Sequence, residues 1–209
     1  TGVVSGDGHV SAGNVLVATS VWGTRQLARL GIKVPVRPHI AQMAFFHIPA
    51  GSGQRLQVSL FDSRAGLYMR PEGAAQIFVG RKERDFHDLD GPVVDPDDYK
   101  QTAEYGAVQR MHEGLSVTLP SMRDGFIHRT YACTYDVTPD EMPILEQAGG
   151  IDGLFFAVGF SGGGFSTAPW LGRRMADYII SGVKPREITP FTLERFETGE
   201  TIAWSNVPD

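Results

Sequence analysis

The chain's single cysteine, Cys133, lies where Tyr131, Cys133 and Tyr135 alternate, the period that puts side chains on one face of a strand. One thiol cannot close an internal disulfide, so Cys133 is either a covalent attachment point or a free cysteine buried as a small hydrophobe. Further on, Gly159-Phe160-Ser161-Gly162-Gly163-Gly164-Phe165-Ser166 presents backbone with few Cβ atoms. Such a loop either brings its N–H groups up to a flat ligand or makes a tight strand-to-helix turn. Three consecutive glycines lose more chain entropy than packing alone usually repays, which favours the ligand. Arg70 stands beside Tyr68 on a short strand, and its planar fork matches a carboxylate; the alternative is a surface arginine with a stacked stem. Arg129 is a second candidate for that role, or half of a structural ion pair. His39, His47 and His112 have no ligand spacing, and no metal site is expected.

The elements that position these residues follow from punctuation and periodicity. Thr1 to Val10 reads as a hairpin around Ser5-Gly6-Asp7-Gly8, and Asn14–Thr19 as a strand of the buried kind. A helix runs from about Val21 to Leu30 and stops at Gly31. Extended chain from Val34 to His47 and short strands at Leu56–Phe61, Gly66–Arg70 and Gln76–Arg81 predict an antiparallel or mixed sheet. Asp95 as cap, Pro96 at the first position and two acids in the first turn predict a helix to His112, with Tyr99, Ala103, Gly106, Ala107 and Met111 as its apolar stripe. Strands at Gly125–Asp136 and Gly153–Val158 precede a helix from about Pro169 to Ser181, closed by Gly182. Beyond Lys184 little periodicity is visible.

With 209 residues, 42% of them hydrophobic, the chain can bury a sizeable core in one or two domains. A net charge of -5 with scattered basic residues excludes a nucleic-acid surface. No apolar run approaches the roughly 20 residues of a membrane span, and the start has no charged segment followed by an apolar core. A cytoplasmic location is expected.

Cys133-Thr134-Tyr135-Asp136-Val137-Thr138-Pro139-Asp140 and the Gly159–Phe165 segment together resemble the C-terminal signature of FAD-dependent amine and amino-acid oxidoreductases, the D-amino-acid oxidase family. The Cys-x-Tyr-x-x-Thr-Pro-Asp form resembles monomeric sarcosine oxidase-like enzymes in particular. Val15 to Trp22 is similar to the family's valine-rich strand ending in Ala-Gly-Ala-Trp, with Thr19 read as standing for the glycine. Gly66-Leu67-Tyr68-Met69-Arg70-Pro71 is similar to its glycine-tyrosine-proline strand in the substrate domain.

The resemblance implies FAD as cofactor, with Trp22 and the loop Gly159 to Ser166 against it and Cys133 as the point of a thioether to the flavin. It also implies Tyr68, Arg70 and Tyr135 as residues of the reaction site. The Gly-x-Gly-x-x-Gly turn that holds the ADP end of FAD occurs nowhere in the chain. The expectation is therefore the C-terminal half of a flavoenzyme, whose partner is the N-terminal FAD-binding half or a second chain, with FAD absent from this half alone. Ser166 stands where sarcosine oxidase has a carboxylate-gripping lysine, Gly163 where it has a histidine, and Phe78 where it has a lysine implicated in oxygen activation. Electrons then pass to oxygen or to a carrier or quinone.

The expected fold is α+β: a mixed, largely antiparallel substrate-domain sheet with helices, flanked by parts of a Rossmann-like FAD-binding domain. The expected organisation is 1–36 in the FAD-binding domain, 37–129 in the substrate-binding domain, 130–184 again in the FAD-binding domain and 185–209 as a tail. The expected activity is oxidation of a C–N bond in an N-methylated, cyclic or other amino acid or amine, a small-molecule substrate, by hydride transfer to FAD. The alternative is a non-catalytic accessory subunit that keeps the fold for assembly.

Overall fold

The computed structural model describes residues 2–53, 55–81 and 93–202. It divides into two compact units, one formed by Thr1–His39 with Tyr135–Asp209, the other by Ile40–Thr134.

The first unit opens with the hairpin β1 (Gly2–Ser5) and β2 (Gly8–Ser11), closed by Gly6 and Asp7. β3 (Val15–Val17) leads through a 3-10 turn (Ser20–Trp22) into α1 (Gly23–Arg29), after which Gly31 takes φ 82, a conformation only glycine adopts without strain. β4 (Arg37–His47) carries the chain into the second unit, with β5 (Leu60–Asp62), β6 (Leu67–Glu72), β7 (Gln76–Arg81) and α2 (Tyr105–Thr118). β8 (Phe126–Val137) returns it, followed by β9 (Ile144–Gln147), β10 (Leu154–Val158), α3 (Gly164–Ser181) and α4 (Arg195–Thr198).

In the first unit the sheet order is β3-β10-β9, with β10 parallel to β3 and antiparallel to β9. Every residue of β10 is buried, as a strand with both faces covered requires. Phe155 and Ala157 pack with Leu171, Met175 and Tyr178 of α3, while Phe156 and Val158 pack with Leu27 of α1 and Val36. In the second unit the order is β5-β6-β7-β4-β8. One face, Ala44, Phe46, Leu67, Met69, Ile77 and Val79, is sealed by Ala107, Val108, Met111 and Leu115 of α2. Each large side chain so buried contributes about 1.5–3 kcal/mol. The alternate residues of the same strands build the opposite face. The fold is α+β.

Four local expectations are corrected. Asp95 caps a turn rather than a helix: its Oδ1 accepts from the Asp97 N–H at 3.0 Å and its carbonyl from Asp98 at 3.2 Å, so the Asp-Pro-Asp signal, shared by helix starts and turns, resolves to the turn. The helix begins at Tyr105 behind an extended Glu104, whose N–H donates to Gln42 Oε1 instead of receiving a side-chain cap. α3 starts at Gly164, before the expected Pro169, because Thr167 N–H and the Ser166 and Thr167 hydroxyls all bond the Gly163 carbonyl. Leu16, read as buried, is 41% exposed on an outer strand.

The fourth correction concerns the tail, which is structured as far as it is described. Ile188 and Phe191 enter the core beside β9, a strand the sequence pattern did not reveal. Residues 203–209 of the expected tail lie outside the described residues.

Candidate functional site

The glycine loop is held by the strand that precedes it in the motif. The Gly159 N–H donates to Asp136 Oδ2 at 2.6 Å, and the Ser161 N–H to the Asp136 carbonyl at 2.8 Å. Thr138 completes the clamp, its N–H donating to Ser161 Oγ at 3.2 Å. A Cβ on Gly159 would lie 2.3 Å from Thr138 Cγ2, and φ is 76 there, so this glycine is fixed by packing and conformation together. Ser161 takes φ 50, a strained value for a residue with a side chain.

Beyond the clamp, α3 begins with no side-chain cap, so its first N–H groups remain available. Gly164 and Phe165, the first residues of α3, line a mostly apolar cavity of about 410 Å³, within the range of small-molecule and cofactor sites. Its walls include Tyr135, Phe160, Gly162, Gly164 and Phe165 from the expected site, together with Leu16, Ala18 and Ser20 from the β3 end and Leu171 and Met175 from α3. Phe165 is 98% exposed. A Cβ on Gly162 would meet the Tyr135 ring at 3.5 Å, and Tyr135 packs edge-on against His39 at 5.3 Å. The residues present fit a flat cofactor: bare amides at a helix start and apolar walls. Trp22, Gly159, Ser161, Gly163 and Ser166 are not among the cavity walls; Gly159, Ser161, Gly163 and Ser166 hydrogen-bond within the loop and the helix start, and Trp22 ends the 3-10 turn, 43% exposed.

In the β3 turn the residue with a glycine-like backbone is Ser20, at φ 51, while Thr19 has φ -103.

Tyr68, Arg70 and Cys133 belong to the second unit, on the sheet face opposite α2. Phe45 and Phe78, 3% and 8% exposed, pack edge-on at 5.3 Å as its floor. Tyr68 and Tyr131 lie 6.1 and 6.2 Å from Phe78. Gly80 makes room for Tyr68, whose ring would overlap a Cβ at that position. The Arg70 guanidinium lies 4.6 Å from the Phe78 centroid and that of Arg129 4.0 Å from the Phe45 centroid. Burial, with smaller effects from Tyr131 and Cys133, pushes the Tyr68 phenol up to about 12. Burial also raises the Cys133 thiol, so this sulfur is held protonated rather than as a reactive thiolate.

Sequence reasoning gave Asp136, Thr138 and Asp140 no role beyond their place in the motif and passed over Arg195. Arg195 grips Asp140 with two forked bonds, Nε to Oδ2 at 2.7 Å and Nη2 to Oδ1 at 3.0 Å, the two side chains being only 3% and 2% exposed. Arg195 Nη2 also donates to the Met142 carbonyl, which the Thr138 hydroxyl shares. The available signal was three small polar residues around a Pro-Asp turn at the end of β8. Among the described residues no group of three or more His, Cys, Asp or Glu could hold a metal ion, and no helix is long and apolar enough to cross a membrane.

The model of the family described as FAD dependent oxidoreductase matches residues 1–178. FAD-dependent oxidoreductase domain-containing protein 1 of Mus musculus is 29% identical over 182 residues, which cover 85% of this chain and 35% of that protein. Monomeric sarcosine oxidase of Bacillus sp. (strain NS-129) is 23% identical over 196 residues, 90% of this chain and 49% of the enzyme. The solved structure of L-proline dehydrogenase from P. horikoshii superposes with a TM-score of 0.78 at 26% identity, over 96% of this chain and 51% of that one. The chain thus spans between 35% and 51% of the length of these proteins. It belongs to the FAD-dependent oxidoreductase family.

Proposed function

We propose that this chain contributes the substrate-binding face and the flavin-facing loop of an oxidoreductase that oxidises the C–N bond of an N-methylated, cyclic or other amino acid or amine. The observation that carries the reading is the uncapped start of α3 opening on an apolar cavity of about 410 Å³ behind a loop clamped by Asp136 and Thr138. Gly162, Gly164 and Phe165 would hold the flavin, and bound FAD would supply the acceptor for a hydride leaving the carbon next to nitrogen. The backbone amides at the helix start are placed to stabilise negative charge. The sheet face bearing Tyr68 and two guanidinium groups would bind and orient the substrate. Tyr68, neutral up to about pH 12, serves there as a hydrogen-bond donor and not as a base.

Phe78 is a buried ring where the sarcosine oxidase pattern has a lysine, so no ammonium group stands there to favour oxygen. This supports transfer of electrons to a carrier or dye. The test is anaerobic addition of sarcosine or L-proline to the FAD-loaded protein, with the segment that supplies the dinucleotide turn present. Loss of the oxidised flavin absorbance, with reoxidation faster by a quinone than by oxygen, is the expected result. Loaded flavin that no amine or amino acid reduces would overturn the catalytic reading in favour of an accessory role.

A further inference from the structure

The two guanidinium groups on the open sheet face are not equivalent. Arg70 is already answered: its Nη1 donates to the Glu72 carboxylate and, at 3.2 Å, to the Pro71 carbonyl. Arg129 is not, since among the described residues no hydrogen bond or ion pair engages its guanidinium. Among the described residues its guanidinium stacks on the ring of Phe45, 4.0 Å away, which is buried and cannot give way. Stacking on a fixed ring restrains the long side chain before any ligand arrives, so less freedom is lost on binding.

The neighbourhood of Arg129 is rich in donors and poor in acceptors. Tyr131 packs 5.9 Å from Phe45 and 6.2 Å from Phe78, and its phenol feels both guanidinium charges. Neither Tyr131 nor Tyr68 has a hydrogen bond to its phenol among the described residues. The carboxylate that feels this cluster, Glu72, is taken by Arg70. A planar cation near the Tyr131 phenol O–H is matched by an anion that only accepts hydrogen bonds.

We propose that Arg129, assisted by Tyr131, is the anchor for a substrate carboxylate, and that Arg70 is held by Glu72 as part of the wall. The substrate class is then amino acids in preference to simple amines. The inference rests on reading this face as the substrate-binding surface.

The probe is phenylacetate, with 2-phenylethanol as its uncharged counterpart, titrated into the protein and followed by the NMR signals of the arginine side chains. Saturable binding of phenylacetate, absent for 2-phenylethanol, is expected. Arg129→Gln should weaken it at least tenfold and Arg129→Lys about threefold, since a point charge keeps attraction but loses the fork. Arg70→Gln should change it less than twofold. Undetectable phenylacetate binding, equal binding of both probes, or a larger loss from Arg70→Gln than from Arg129→Gln would each overturn the proposal. The measurement needs no flavin, so its failure leaves the glycine-loop reading standing. Conversely, phenylacetate held by Arg129 in a protein that takes up no FAD even with the segment carrying the dinucleotide turn present would remove the flavin reading and not this one.

Discussion

Ser20 and Ser161 share a backbone conformation that residues with a Cβ avoid, yet only one of them uses its side chain to justify it. Ser161 Oγ bonds Thr138 and the Gly159 carbonyl, whereas no hydrogen bond from the Ser20 hydroxyl is seen among the described residues. Ser20→Gly should therefore stabilise the fold by about 1 kcal/mol, read as a higher denaturation midpoint, because glycine relieves the left-handed strain. A lowered midpoint would mean that the hydroxyl has a role. Gly159→Ala should do the reverse, costing on the order of 3 kcal/mol, since a methyl 2.3 Å from Thr138 Cγ2 must displace the clamp as well as strain φ. Tyr68 offers a third readout. Its folded value near 12 exceeds the ordinary 10, so the unfolded chain loses this proton first as pH rises. The contribution is complete below pH 10 and is lost between 10 and about 12, where Tyr68→Phe should flatten the decline of stability. Sequence showed which residue types gather at these places, but φ is invisible in a string of letters. For that reason the sequence pattern points to Thr19 as glycine-like while the positive φ lies at Ser20.

At the scale of elements, strands with strict alternation were legible and the starts of helices were not. β7 was readable to its ends because the apolar run Ile77-Phe78-Val79 lies between bounding turns, while Asp95 and Pro169 carried helix-start signals that the bond from Glu104 N–H to Gln42 and local bonds to the Gly163 carbonyl overrode. β9 and the ordered tail escaped because their partners are distant in sequence: Leu145 N–H bonds the Phe191 carbonyl, and Arg195 crosses to Asp140. That last contact ties the tail to the turn ahead of the glycine loop. Removing Arg195 leaves a buried carboxylate with lost partners, so Arg195→Met should cost about 3–5 kcal/mol, the usual penalty for breaking a buried pair from one side. Amide exchange at Ile202, which donates to Asp140 Oδ2 at 3.1 Å, should rise with it; unchanged exchange there would show that the tail is held by Ile188 and Phe191 alone. Burial opposes the Asp140 charge, but bonds from Arg195, Ile202 and Met142 more than offset it and hold the carboxyl below its ordinary 3.8. The associated stability is present above that value and fades as pH falls through the lower folded one.

The molecule as a whole interleaves two units, each with its own core, so that the unit holding the glycine loop is assembled from both ends of the chain. Alternating patterns announce the strands of the inner unit, whereas the outer unit's assembly from both chain ends is implied only by the family resemblance; in the structure β3 pairs with β10 across that separation. This arrangement places loop, helix start and cavity in the chain while leaving out any Gly-x-Gly-x-x-Gly turn. A dinucleotide needs both ends held: the flavin by apolar walls and amides, the pyrophosphate by a glycine turn on a helix N-terminus. With the second anchor missing, this chain by itself should bind FAD at least a hundredfold more weakly than a mixture with a segment carrying that turn, as followed by quenching of flavin fluorescence on titration. Cys133 adds a separable outcome. Acid precipitation of the loaded mixture should leave colour in the pellet if the thioether forms, and Cys133→Ser should release it without altering the fold. Flavin that washes out of the unmodified protein would assign Cys133, raised by burial and packed on Phe45 and Phe78, to the core of the sheet face instead. Tight, stoichiometric FAD on this chain alone would mean that the cavity and the α3 amides suffice, and that the pyrophosphate has an anchor within the described fold.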